Sequence, residues 1–204
     1  MKKALIPTVL LITLSVLFYS CGKHVYALNE KELSKLMAKA KEPGDQIFVQ
    51  YSSGETLRGQ SIKWKYVKGN DVLMLDGKQV TQGTISSYQD KYAYYLVSGD
   101  TEYPRVYNGK ARLYLHQTDG RKINQTYNPN TNSTRVTQTG SITTTFYIGK
   151  GSSIERCTHS SVENHVKDYE PALAQFKKEF PNGRGYMNDY RALVRILEVY
   201  NQKP

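Results

Sequence analysis

The sequence predicts an α+β fold: an antiparallel β-meander with an N-terminal helix and two to three C-terminal helices. Three observations carry that expectation. Apolar residues recur at helical spacing over residues 29–40 and again beyond residue 160, whereas between Ile47 and Ile148 the period drops to two. Three dipeptides, Asp76-Gly77, Asn108-Gly109 and Asp119-Gly120, punctuate that middle region, and such pairs favour the two-residue turns of β-hairpins. Helix, strands, then helices is the order of a sheet covered by helices.

The first helix runs from Asn29 to Ala40. Asn29 is a good N-cap residue, and Glu32 sits three positions on, the spacing of a capping box. Leu33, Leu36, Met37 and Ala40 share one face, with Lys31, Lys35 and Lys39 on another. Pro43-Gly44 ends it. A basic amphipathic helix can lie on anionic lipid. A narrow stripe without Trp or Phe favours packing on the domain instead.

In the middle region Ile47, Val49 and Tyr51 alternate with Phe48, Gln50 and Ser52. Ile62, Trp64 and Tyr66 alternate with Lys63 and Lys65, which predicts one buried and one wet face. Residues 72–75 and 78–81 flank the Asp76-Gly77 turn, and residues 85–88 and 92–97 follow as strands. Asn108-Gly109 joins residues 105–107 to 110–116, and Asp119-Gly120 is expected to join that strand to residues 121–127. Residues 128–132, Asn-Pro-Asn-Thr-Asn, are all turn chemistry, and residues 134–139 and 142–148 complete the strands. Beyond them Ser160 with Glu163 has capping-box spacing, Pro171 opens a helix through Phe180, and Pro181-Asn182-Gly183 breaks it. Asn188 is placed to cap a last helix in which Tyr190, Leu193, Val194, Leu197 and Tyr200 share a face.

Residues 1–20 have the anatomy of an export leader. Lys2 and Lys3 precede an apolar run from Ala4 to Tyr19, then Ser20 and Cys21. The stretch L-F-Y-S-C-G at residues 17–22 resembles the lipobox of bacterial lipoproteins, with Phe18 and Tyr19 in place of the usual aliphatic and small residues. The resemblance implies a signal peptide over 1–20, a palmitate-type acylation of Cys21 as the first mature residue, and a tether over 21–28. It implies a protein anchored in the bacterial envelope, and Gly22, which is not the retention Asp, points to the outer membrane. Two other readings stay open. Cleavage after Gly22 would release the protein. An uncleaved run would anchor it, although residues 4–19 include Pro7 and fall short of the about 20 residues a span needs. Residues 29–204 are then read as one α+β domain, without internal repeats or low-complexity linkers.

The chain has 204 residues and a net charge of +10, with 28 Lys and Arg against 18 Asp and Glu. Such an excess favours acidic partners such as anionic lipid or acidic glycans. No basic run is dense enough to argue for nucleic acid. Of the two cysteines, acylation of Cys21 would leave Cys157 without an intramolecular partner.

Chemical motifs are sparse. Cys157 with His159 or His165 is the sharpest enzyme candidate, because an imidazole beside a thiol can generate a nucleophile. The same three residues would also supply three metal ligands, without recognised spacing. Asp71, Asp76, Asp90, Asp100, Glu102 and Asp119 are scattered over strand ends and turns, and their mutual distances are not legible. Residues 149–153 resemble a phosphate cradle only loosely. The distinctive feature is 17 tyrosines against one tryptophan. Trp64, Tyr92, Tyr94 and Tyr114 are the expected exposed aromatic face, with Tyr95 pointing away from Tyr94. The reading is a lipid-anchored, non-enzymatic binding module that offers a Tyr-rich basic sheet to a glycan or an envelope protein, with no cofactor and no metal. The alternatives are a thiol-dependent enzyme at Cys157 and a small-ligand carrier in a closed β-barrel.

Overall fold

A computed structural model of the chain describes residues 28–80, 85–120, 122–128, 133–151, 153–182 and 187–204. The leader, Cys21 and the tether up to residue 27 lie outside them, as do Thr81, Arg121, residues 129–132, Ser152 and Gly183.

Helix α1 spans Glu30–Lys39 and carries the expected capping box: the Glu32 amide donates to Asn29 Oδ1 at 2.9 Å and the Asn29 amide to Glu32 Oε2 at 3.3 Å. Leu33, Leu36 and Met37 are half-buried against the main core. The apolar stripe of α1 therefore packs on the domain, where burial offsets the entropy of ordering a short helix.

Among the described residues thirteen strands follow, all antiparallel: β1 (Ile47–Tyr51), β2 (Thr56–Gly59), β3 (Ile62–Val67), β4 (Asn70–Leu75), β5 (Lys78–Gln79), β6 (Ile85–Gln89), β7 (Tyr94–Ser98), β8 (Thr101–Tyr107), β9 (Arg112–Asp119), β10 (Lys122–Asn128), β11 (Ser133–Thr139), β12 (Ile142–Lys150) and β13 (Ser153–Arg156). Eight of them form a curled half-barrel sheet in the order β13-β12-β9-β8-β7-β6-β1-β2. Its edges, β13 and β2, do not pair with each other, so this sheet is not the closed barrel of the carrier alternative. Strands β3-β4-β5 make a small second sheet, and β10 pairs with β11.

Asp119-Gly120 does not close a hairpin between β9 and β10. Arg112 faces Gly149 and Asp119 faces Ile142; past the break Lys122 faces Thr139 and Asn128 faces Ser133 in the same register. Residues 112–150 therefore form one long ribbon. It is pinched where the Gly120 amide donates to the Ser141 carbonyl at 3.2 Å, and its described pairing runs out to Asn128 and Ser133. Of the three expected turns, Asp76-Gly77 has positive φ at both residues, 49° and 79°. Gly109 serves a different purpose. A Cβ there would strike the side chain of Asn201, whose Oδ1 accepts from the Lys110 amide at 2.7 Å.

The remaining helices are α2 (His159–Val166), α3 (Glu170–Glu179) and α4 (Tyr190–Asn201). The α2 cap is Thr158 with Ser161, two positions before the expected Ser160–Glu163 pair, because Thr158 and Ser161 satisfy each other's amides at 2.8 and 3.1 Å. Pro171 sits in the first turn of α3 as expected. Asp189, one residue after Asn188, caps α4 with a 3.0 Å bond to the Ala192 amide.

One face of the large sheet packs outward in two places. Leu113, Leu115, Phe146 and Ile148 meet Val162, Phe176, Leu193 and Ile196 of the C-terminal helices, while Val49 and Tyr88 meet Leu73 and Leu75 of the small sheet. On the other face Tyr94, Leu96 and Tyr114 cluster with Phe48, Tyr103 and Tyr147. All six belong to the large sheet, which curls onto them.

Candidate functional site: an acidic aromatic cleft

The small sheet lies across the outward face at β1 and β6. At one end the two sheets are closed by Ile62 and Leu75 packing with Val49. At the other end a cleft of about 810 Å³ lies between them. Leu73, Tyr88 and Val97 line it, with Trp64 from β3 and Asp71 from β4. Register places these residues. Trp64 faces Leu73 and Tyr66 faces Asp71 across β3–β4, so all four point to one side of the small sheet.

The opposite rim is the β7–β8 hairpin. Ser98 pairs with Thr101 and leaves Gly99-Asp100 as a two-residue turn, with Gly99 at φ 60°. Asp100 and Glu102 follow from that turn, and both line the cleft. Strand β8 pairs with β9 at Arg105–Tyr114 and Tyr107–Leu113; farther along, the His116 ring of β9 lies 5.7 Å from that of Tyr103, and His116 reaches the cleft margin.

Tyr88 ties the two walls together. Its ring stacks on Tyr95 at 4.7 Å, and its hydroxyl lies beside the Glu102 carboxylate and the Trp64 indole. Burial and the adjacent Glu102 charge push the Tyr88 phenol far up, so it stays a hydrogen-bond donor. Burial also raises the Glu102 pKa; the nearby Tyr88 hydroxyl opposes that shift and Asp90 adds to it. Glu102 Oε1 is buried with no hydrogen-bond partner among the described residues.

Trp64, 42% exposed, is the one residue of the expected aromatic face that lines this cleft. Tyr92 is 61% exposed but sits in the β6–β7 turn under Lys91 Nζ at 4.5 Å. Tyr94 and Tyr114 correct the expectation: they are 6% and 0% exposed on the opposite face, with the Arg105 guanidinium 3.9 Å from the Tyr94 ring. Alternation separates Tyr94 from Tyr95 as expected, but it is the Tyr95 face that borders the cleft. The β3 expectation is corrected too. No residue of this edge strand is fully buried, because the cleft leaves Trp64 and Tyr66 open.

The cleft is acidic, in contrast to the basic surface expected from the net charge. Asp71, Asp100 and Glu102 line it, and among the described residues no Lys or Arg does. Three of the six carboxylates scattered along the sequence thus converge. The only signal that placed Asp100 and Glu102 was the Gly99-Asp100 turn, and sequence reasoning missed it.

Cys157 lies in the main core at 1% exposure, and burial pushes its thiol far up, away from the nucleophilic thiolate. Its neighbours in sequence are otherwise engaged. The His159 ring packs 4.6 Å from Phe176, and His165 Nδ1 lies 2.9 Å from the Ser161 carbonyl and 3.3 Å from Glu155. Among the described residues no group of three or more His, Cys, Asp or Glu is placed to hold a metal. Gly149 to Ser153 is the β12–β13 hairpin and does not open a helix, so the phosphate-cradle reading lacks its anion-binding end. Among the described residues no helix is long and apolar enough to cross a membrane. The chain matches no protein-family model, no curated protein and no solved structure.

Proposed function

We propose that this chain is a non-enzymatic binding module of the bacterial envelope, tethered through acylated Cys21, that takes a glycan in the Trp64 cleft. The observation that carries the reading is an exposed indole face beside three carboxylates in one cleft of about 810 Å³. That volume falls within the roughly 300–1,000 Å³ of ligand sites. A flat aromatic face stacks on the apolar face of a sugar ring. Carboxylates accept hydrogen bonds from sugar hydroxyls, and charged acceptors make the stronger bonds. The anchor rests on the lipobox-like stretch at residues 17–22 and on the excess of Lys and Arg, which suits a surface of anionic lipid.

Trp64 is the only tryptophan, so intrinsic fluorescence reports on the cleft directly. Titration with a panel of envelope oligosaccharides is expected to give a saturable change in Trp64 emission that Trp64→Phe abolishes. A panel without effect would remove the glycan reading. The tether is tested separately by intact mass of the protein extracted from membranes. The expected species begins at Cys21 and carries acyl chains; a free Lys23 terminus or a retained leader would overturn it.

A further inference from the structure

We infer that the glycan taken by this cleft carries a free amino group, as a de-N-acetylated hexosamine does. The inference rests on the glycan reading above and adds the ligand's charge. Lys and Arg outnumber Asp and Glu by 28 to 18 in the chain. Several carboxylates elsewhere have a cationic partner: Glu42 with Arg105, Glu179 with Arg195, Asp168 with Lys203. Asp71, Asp100 and Glu102 make no ion pair among the described residues, and they share one cleft with no Lys or Arg on its lining.

A neutral sugar that covered this cleft would take water from three uncompensated negative charges and return only hydroxyl dipoles. An ammonium on the ring returns a positive charge and three N–H donors. An N-acetyl group at the same position brings one N–H but also a carbonyl oxygen, which the carboxylates repel. An acidic sugar would be excluded outright. The Trp64 face meanwhile holds the ring and adds attraction for an adjacent cation. Glu102 sharpens the demand. Among the described residues it borders Tyr88, Trp64, Asp100 and His116 on the cleft and feels Asp90, but no Lys or Arg, and one of its oxygens has no partner.

The test uses the full chain extracted from membranes in detergent, with Trp64 emission as the readout. The probes are a β-1,4-linked glucosamine tetramer, the fully N-acetylated tetramer of the same backbone, and spermidine. The glucosamine tetramer is expected to bind at least tenfold more tightly than its acetylated form, and to weaken several-fold as salt is raised. Glu102→Gln is expected to shrink that preference, and Asp100→Asn on the exposed turn gives a second variant where the first fails to fold. Equal binding of the two tetramers, or tighter binding of the acetylated one, would overturn the amino-group inference and leave the glycan reading standing. Spermidine binding as tightly as the glucosamine tetramer would sink the glycan reading and keep the cation preference. No binding of any probe would overturn both.

Discussion

Arg105 and Glu42 form a 2.7 Å ion pair in which the arginine side chain is fully buried and the glutamate side chain is 36% exposed. The same guanidinium donates from Nε to the Ala40 carbonyl at 2.6 Å, so one side chain of β8 fixes the segment that leaves α1. Its third nitrogen, Nη2, has no partner among the described residues. Removing Glu42 would leave a buried cation uncompensated. Breaking a fully buried pair costs about 3–5 kcal/mol; with Glu42 one-third exposed, Glu42→Ala is expected to cost about 2 kcal/mol in urea unfolding. Adding Arg105→Met to Glu42→Ala is expected to cost less than the sum of the two single changes, by about 1 kcal/mol or more. Strict additivity would mean that the pair contributes nothing.

Glu102 gives the fold a pH dependence with a defined sign. Burial raises its pKa above the ordinary value of 4.5 in the folded chain, with Tyr88 opposing and Asp90 adding. The folded state therefore holds this proton more tightly than the unfolded state. The stabilisation is fully present below the ordinary value and is lost as pH rises through the raised folded value. Glu102→Gln removes that dependence. The difference in Tm between Glu102→Gln and the unaltered chain is expected to move in favour of the variant as pH rises from about 3.5 to about 7.5, a range that spans the ordinary glutamate pKa. A difference that stays flat across the range would show that Glu102 does not titrate abnormally.

Much of the fold was legible because local chemistry decides it. The Asn29–Glu32 box and Pro171 act within one turn of the chain, and they fell where expected. Period-two alternation located β1, β3, β4, β6 and β12 for the same reason. Pairing was less legible. Asp119-Gly120 has the composition of a hairpin turn, yet the same residues suit a pinch in a longer ribbon whose partner strand lies more than twenty residues away. Strands β2 and β13 escaped notice because Thr56-Leu57-Arg58-Gly59 and Ser153-Ile154-Glu155-Arg156 are short edges with no buried residue to set a pattern. The site was the least legible part. Alternation states that Tyr94 and Tyr95 face apart, but not that the small sheet would cover the Tyr95 side. The cleft then gathers Asp71, Glu102 and His116 from three strands that only tertiary packing brings together.

Cys157 is expected to be inert. Burial, with Glu155 adding, raises its thiol pKa, and at 1% exposure no reagent reaches it without opening the core. In a Cys21→Ser chain, where Cys157 is the only thiol, a small disulfide reagent is expected to label less than a tenth of the protein in native buffer over an hour and all of it in denaturant. Rapid native labelling would revive the thiol-enzyme alternative. Cys157→Ala is expected to cost about 1 kcal/mol through the small void it leaves, with no effect on Trp64 emission.

Gly149 separates a structural account of residues 149–153 from an anion-binding one. It faces Ile154 across the β12–β13 hairpin, and the next strand over presents Arg112 opposite it. A Cβ at Gly149 would collide with the Ser153 carbonyl and the Ile154 side chain. The carbonyl belongs to the backbone and cannot rotate aside as a flexible side chain would, so relief requires β13 to peel from β12. Strand β13 precedes Cys157 directly, and the Cys157 amide bonds to the Phe146 carbonyl at 2.8 Å, so peeling would also loosen the entry to α2. Gly149→Ala is therefore expected to destabilise the chain by about 1–3 kcal/mol, the range of overpacked sites. Gly151, at φ 70° with open space around its Cα, should tolerate Asn at a cost of about 1 kcal/mol or less, because Asn adopts that conformation more readily than other side chains. Added inorganic phosphate should raise the Tm of neither variant nor the unaltered chain. A phosphate-dependent Tm that Gly149→Ala abolishes would restore the cradle reading, whereas a stability loss indifferent to phosphate assigns Gly149 to the close approach of two strands.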